Sequence, residues 1–187
     1  MTNGVFSDYE VDQIGIKFAE ENAKYESANC VGSVEEEMES RTVTKKCRGV
    51  VFKETTRGTG RGTLKLSWHV PYAIYTKFFD MEKEDLLAGV KAYGQDSVHK
   101  HFSVTMHVKD EDGVEKLKAY PNCVVASTGP VRKIENGAEE VAEFETEISV
   151  TPDENGRGLY EALVSEIDES VASQWMTSFE PALVKNA

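Results

Sequence analysis

Apolar and polar residues alternate with a period of two in four separate segments of this chain. Successive side chains of a β-strand point to opposite faces of its sheet, so the alternation predicts strands with one buried and one wet face. Such strands need a second layer to cover the buried face. The segments are residues 14–18, 64–70, 102–109 and 142–150.

The last of these segments has a regular charge pattern. Its apolar face holds Phe144 and Ile148, and its opposite face carries Glu143, Glu145 and Glu147. Like charges on one strand face repel each other, so this face must be well hydrated. A second acidic run, at residues 34–40, would also present three glutamates on one side if it is extended.

Other segments predict helices and turns. Residues 71–81, PYAIYTKFFDM, open on proline and space aromatic residues by three and four, which predicts a short amphipathic helix. A second helix is expected around residues 159–167. The β-branched, charged run at residues 42–56 is interpreted as one long, partly exposed strand. The Asp-Gly and Asn-Gly pairs in residues 111–113 and 135–137 predict hairpin turns.

Residues 55–68, TTRGTGRGTLKLSW, have the glycine and arginine content of a phosphate-binding loop. They lack the Gly-Lys pair of a Walker A loop, and Thr63 replaces the third glycine of a dinucleotide fingerprint. An alternating strand follows, which leaves no helix N-terminus to hold a phosphate. We therefore interpret the segment as the flexible, docking tip of a hairpin arm at about residues 48–66. The tip comprises Arg57, Gly58, Thr59, Gly60, Arg61 and Gly62.

Charge and cysteine content narrow the function classes. The net charge of −12 disfavours a protein that wraps DNA around its outside. Residues 8–39 hold ten acids and two lysines, whereas residues 41–65 hold eight bases and one acid, which suits copies that meet head to tail. The three cysteines lack CxxC spacing and indicate a reducing compartment. We expect no secretion signal and no membrane insertion.

No catalytic or metal-binding constellation stands out in the sequence. His99, His101 and Cys123 could be grouped as metal ligands, but two histidines at this spacing more often are exposed polar residues of a strand. The chain has no GxSxG elbow, and its 33 acids are too frequent for any pair to identify a general acid or base. We expect a non-enzymatic protein without metal or cofactor.

These patterns predict a mainly β fold: a two-sheet β-sandwich or barrel with one short flanking α-helix and a long flexible hairpin arm. Without a linker-like tract, residues 1–187 are expected to form a single domain. Its ends, at about residues 1–10 and 169–187, are expected to be flexible.

The order of these segments resembles the major tail tube proteins of long-tailed bacteriophages and prophages, over roughly residues 10–168. The resemblance lies in an N-terminal strand, a long hairpin with a basic tip, and a strand that runs into HVPYAIYTKFFDM. It continues in GVKAYG and is most marked in FETEISVTPDENGRGLYEAL.

The resemblance implies a structural virion protein, located in the tail and assembled in the host bacterial cytoplasm. Six copies would form a ring in which four-stranded sheets merge into one channel lining, and the arm would reach a neighbouring subunit or ring. The implied partners are further copies, a tape-measure protein, a tail terminator, and tail-tip or baseplate proteins. Double-stranded DNA would pass without specific binding.

An acidic lining would suit such a channel. Twenty-four strands about 4.8 Å apart, tilted by about 40°, give a backbone diameter of about 48 Å, ample for a duplex. Lysines would hold passing phosphates through counterion release, whereas glutamates let DNA slide. Glu143, Glu145 and Glu147 are the expected lining residues.

Three alternatives stay open at this point. A tube-forming protein of a phage-like secretion or tailocin system would have similar sequence patterns. A small-ligand-binding β-barrel would need a closed barrel with an apolar pocket, and a nucleotide-dependent enzyme would need the phosphate loop disfavoured above.

Overall fold

The structure is a computed structural model that describes residues 6–20, 23–126, 129–137 and 139–185. Its strands are β1 (Glu10–Phe18), β2 (Glu26–Ala28), β3 (Val31–Cys47), β4 (Val50–Trp68), β5 (Phe102–Lys109), β6 (Glu115–Val125), β7 (Phe144–Val150) and β8 (Tyr160–Leu163). Its helices are α1 (Tyr72–Phe78) and α2 (Glu169–Ser178), with short 3-10 turns at Val164–Glu166 and Pro181–Val184.

All strand pairs are antiparallel, in the order β2-β1-β5-β6-β7-β4-β3, with β8 beside β6. The sheet divides at β6, because residues 116–119 pair with β8 and residues 123–125 pair with β7. Buried side chains of β1 and β5 share one core with those of β4 and β7, so the two halves pack face to face. The predicted mainly β sandwich is confirmed.

The core between the layers consists of the apolar residues of the alternating segments. Burying each large apolar side chain contributes about 1.5–3 kcal/mol. The indole N–H of Trp68 donates to Thr146 Oγ1 at 2.9 Å, which satisfies the polar group of the largest side chain. Fully buried members are Ile14, Ile16, Leu64, Leu66, Trp68, Phe102, Val104 and Ile148.

The helix α1 packs against this core, as its aromatic spacing predicts. It follows Pro71 and buries Ile74, Tyr75 and Phe78. The rings of Phe78 and Phe102 lie 4.6 Å apart between their centres. One member of the predicted aromatic face, Tyr72, is instead exposed.

The C-terminal region differs from its prediction. A helix was expected around residues 159–167, but Tyr160–Leu163 is the strand β8, and the helix α2 begins at Glu169. The expected flexible tail therefore contains a packed helix. Trp175 is buried and its indole N–H donates to the backbone carbonyl of Lys118 at 3.1 Å, so α2 covers the face of β6 that points away from the main core.

The two predicted turns have different outcomes. Residues 110–114 form the hairpin turn between β5 and β6, where Asp110 Oδ1 accepts the backbone N–H of Asp112 and of Val114. Residues 135–137 also turn, with Gly137 at φ 68°, but within the long connection from β6 to β7. That second turn is not a tight hairpin.

Candidate assembly surfaces

The hairpin of β3 and β4 turns at Arg48 and Gly49. Both residues have positive φ, 52° and 81°, and Cys47 pairs with Val50, as in a two-residue type I′ turn. The expectation of a tip at residues 57–62 is therefore wrong in position, since these residues lie within β4. The run at residues 42–56 is likewise two strands and a turn rather than one strand.

We call residues 40–58 the arm. Beyond the Ser40–Gly58 pair, β3 and β4 pair only with each other among the described residues. The pairing of β4 with β7 ends earlier, at Gly62 and Val150. Seven residues per strand extend roughly 24 Å. Every residue from 41 to 54 is exposed. Because an isolated two-stranded ribbon is marginally stable in water, the arm needs a partner surface to become rigid.

The side chains of the arm suit a covered surface. Phe52 and Val50 are exposed by 73% and 70%, and Val43 and Val51 by more than half. Around them lie six basic residues and a single acid, Glu54. Apolar groups inside a basic rim are typical of an interface with an acidic partner. The basic residues are Arg41, Lys45, Lys46, Arg48, Lys53 and Arg57.

The glycine-rich segment forms a bulge at the base of the arm. Glu39 lies opposite three residues of β4, because Met38 pairs with Gly62 and Ser40 with Gly58. Within the bulge, Gly60 has a φ of 73°. A methyl group on Gly60 would come within 2.6 Å of Gly156 O. The glycine therefore allows β4 to touch the turn at residues 152–158.

Replacing Gly60 with alanine should destabilise the fold. The positive φ costs about 1–2 kcal/mol in an L-residue, and the clash with Gly156 adds to it. The matched control is Gly58→Ala, since Gly58 has no positive φ and open space around its Cα. Urea unfolding should separate the two variants by at least about 1 kcal/mol, and equal stabilities would contradict the packing role of the bulge.

The turn that meets the bulge is organised by Asp153. Its Oδ1 accepts the backbone N–H of Asn155 at 2.8 Å and of Arg157 at 3.0 Å, and its Oδ2 accepts the hydroxyl of Tyr160 at 2.6 Å. Burial raises the pKa of this carboxyl, but these hydrogen bonds outweigh burial and hold the pKa below its usual value. The carboxylate therefore stabilises the fold above the unfolded pKa of about 3.9.

Asp153→Ala should lower the free energy of unfolding by about 1–3 kcal/mol at pH 7, because two backbone donors and a hydroxyl lose their acceptor. The loss should shrink as the pH falls from about 4 through the lowered pKa, where the wild-type carboxylate is protonated as well. Denaturant titrations at both pH values measure the difference. Glu154→Ala, at the exposed neighbouring position, should change little.

The outward side chains of β3, β4 and β7 form what we call the acidic face, which includes Glu35, Lys65, Glu145 and Glu147. Glu147 of β7 lies beside Lys65 of β4, which lies beside Glu35 of β3. Glu145 and Glu147 are exposed while Thr146 and Ile148 are buried, so the predicted alternation is confirmed. Lys65 and Glu35 approach to 3.6 Å, but such an exposed pair contributes about 0–1 kcal/mol.

Glu143 behaves differently from the other two predicted lining residues. It precedes β7, and its carboxylate accepts the hydroxyl of Ser67 on β4 and lies over Gly32 of β3. The side chain therefore ties three strands together rather than standing free on the acidic face.

Glu36 is a structural residue that the sequence pattern did not reveal, because it lies in a run of similar glutamates. It points between the layers, where its carboxylate accepts Lys118 Nζ at 2.8 Å and the Tyr120 hydroxyl at 2.6 Å. Burial and the adjacent Glu36 charge raise the pKa of Tyr120. Burial alone would lower the pKa of Lys118, but the carboxylates of Glu36 and Asp8 together outweigh burial and raise that pKa. A bridge of this kind joins β3 to β6.

The outer edge of β3 has no strand beside it in the described part of the chain. This strand is 17 residues long. A long free edge exposes unpaired backbone N–H and C=O groups and can pair with another chain.

The histidines that the sequence grouped precede β5 instead of lying on it. His99 packs edge-on against Phe79, with 5.1 Å between the ring centres, and forms a hydrogen bond with the Tyr93 hydroxyl. His101 forms a hydrogen bond with the side chain of Asn122. No group of three or more His, Cys, Asp or Glu side chains within the described ranges is arranged to hold a metal ion. Within the same ranges, neither helix has the length and apolar character to cross a membrane.

The chain was compared with known families, curated proteins and solved structures. No family model and no curated protein matches the sequence. Among solved structures, the chain is similar to the tube-terminating cap of the anti-feeding prophage, with a TM-score of 0.48 and 11% identity. The match covers 88% of this chain and 100% of that one. At that level the likeness defines no function for this chain.

Proposed function

We propose that this chain is a structural tube protein that assembles into hexameric rings, which stack into a phage tail tube. The observation that carries the proposal is the four-stranded sheet β6-β7-β4-β3. One face of this sheet is in the core, the other is the acidic face, and its free edge is the 17-residue strand β3. The resemblance of the sequence to tail tube proteins supports the same assignment.

The free edge of β3 provides a route to a ring. Pairing of this edge with the next copy extends the acidic face sideways, and a constant rotation between copies closes the ring. The lumen would then be lined by Glu145 and Glu147 with Lys65 between acidic strands. An acidic lumen of this kind lets DNA pass without holding it.

The arm provides a second contact, between rings. Its apolar and basic side chains lie beyond the sandwich, so they gain a dry environment only against another molecule. In a stacked tube the partners are further copies, an internal tape-measure protein, and terminator and tip proteins at the two ends. The site of action is the virion tail, after assembly in the host cytoplasm.

The fold disfavours the ligand-binding alternative. The sheet is open, with β2 and β3 at its ends, rather than a closed eight-stranded barrel. In the core between the layers, the ring of Phe78 packs against both Trp68 and Phe102, so this part of the sandwich has no room for a ligand.

Electron microscopy and sedimentation of the purified chain test the proposal. At high protein concentration we expect rings or tubes about 100 Å wide, from a channel of about 48 Å plus, on both sides, a second sheet layer and a helix layer of about 10 Å or more each. A chain that remains monomeric at every concentration, salt and pH would contradict it.

A further inference from the structure

A groove of about 970 Å³ opens between β3 and the β1-β5-β6 side of the sandwich. Its apolar lining includes Val11, Val34, Met106 and Val108. Met106 and Val108 are buried, and the others are partly buried. The apolar side chains that another molecule can reach in the groove therefore include Val11 and Val34, within a lining that is otherwise mostly polar and charged.

The charge around the groove is acidic. Its two lysines are already neutralised, since Lys116 pairs with Asp8 at 2.8 Å and Lys118 pairs with Glu36 at 2.8 Å. Two further acids of the lining, Glu10 and Glu161, are exposed and make no ion pair within the part of the chain that the structure describes. The groove therefore favours a basic ligand, with a few apolar groups that can contact Val11 and Val34.

The arm has the matching composition. Phe52 and Val50 are its most exposed apolar residues, and Lys45 and Lys53 lie opposite each other on one of its faces. The arm of the same chain cannot supply them, because Cys47 at the tip lies eleven positions further along β3 than Glu36 at the groove. Along a paired strand this distance is roughly 36 Å.

We infer that the arm of one copy docks in the groove of the next copy. Its apolar tip lies over Val11 and Val34, and its lysines face Glu10 and Glu161. This inference rests on the proposed tube assembly and assigns the receiving surface of the contact between copies. The arm and groove are different surfaces, so each copy can bind one neighbour with its arm and accept another in its groove.

Charge exchange between the two surfaces tests the inference. Lys45→Glu with Lys53→Glu on the arm, or Glu10→Lys with Glu161→Lys in the groove, should each raise the critical concentration for polymerisation about tenfold. The chain that carries all four substitutions should recover most of the loss. Glu84→Lys with Glu111→Lys makes the same charge change as the groove variant, at exposed positions outside the groove, and should leave polymerisation unchanged. Thermal unfolding monitors the fold of each variant.

The outcomes separate this inference from the proposed function. If the wild-type chain forms no tubes, the proposed function fails. If it forms tubes and the groove variant polymerises like the control, or the fourfold variant gains nothing, the groove inference fails while the tube assignment stands.

Two native cysteines give an independent measurement. Cys47 lies beside the turn at the tip of the arm, and Cys30 lies between the groove residues Asn29 and Val31; both thiols are free and exposed. A short bismaleimide added to assembled tubes should link copies into a ladder on a denaturing gel. Cys30→Ser and Cys47→Ser should each remove the ladder. A ladder that survives Cys30→Ser, or tubes that give no ladder, would overturn the inference.

Discussion

A chain with a shortened arm should fold normally and fail to polymerise. Residues 44–54 can be removed and Val43 joined to Thr55 through Asn-Gly, because Val43 and Thr55 are already paired and Asn-Gly favours the same type I′ turn. The deleted residues are all exposed and belong to no core cluster, so the loss in unfolding free energy should be small. The loss of assembly should be complete at concentrations at which the wild type forms tubes.

The matched control is the deletion of residues 57–62, at the base of the same hairpin. This change removes the bulge at Gly60 and the pairing of Gly62 with Val150, so it should unfold the chain rather than disable its contacts. Circular dichroism and sedimentation would separate the two results. If the shortened-arm chain polymerised at the same concentration as the wild type, the arm would not be one of the contacts that assembly requires.

Lysines on the acidic face should convert an inert channel into one that retains DNA. Glu145→Lys with Glu147→Lys leaves the buried side chains of β7 unchanged, so folding and tube formation should persist. Each lysine that meets a phosphate adds nearly one counterion of salt dependence, and a ring repeats it in every copy. Short duplex DNA should therefore sediment with the variant tubes at low salt and be released steeply as salt rises.

Nuclease digestion locates the retained DNA. Duplex inside the lumen should resist an added nuclease, whereas duplex on the outer wall should be cut. Retention that is fully nuclease-sensitive would place the acidic face outside the tube, and loss of assembly would place it in a contact between copies. Glu84→Lys with Glu111→Lys controls for the change in total charge.

The strands and the first helix could be predicted because their signals are local. Alternation in β1, β5 and β7 and the aromatic spacing of α1 depend on neighbouring residues alone. The acidic pattern of residues 145 and 147 could be read in the same way. What such patterns cannot give is the partner of a surface, so Glu36 could not be told from Glu35 or Glu37 before its contact with Lys118 was known.

The sequence prediction placed the tip of the arm wrongly because glycine can serve either a flexible turn or a close approach of two backbones, and the two look alike in sequence. A glycine-rich run favours a flexible tip, but Gly60 serves a close approach to Gly156, almost a hundred residues later. The actual turn has only one glycine, Gly49, preceded by an arginine that tolerates positive φ there. Similarly, β8 is defined by pairing with β6, more than forty residues earlier, which no local pattern reports.

The separation of arm and groove on the chain has a consequence for growth. In the proposed assembly every subunit points the same way, so the polymer would have two chemically distinct ends, one presenting empty grooves and the other presenting free arms. Elongation rates at these ends need not be equal, and a terminating protein needs to imitate only one of the two surfaces. A peptide with the sequence of the arm would therefore bind the empty grooves and block elongation at that end, while the end with free arms continued to grow.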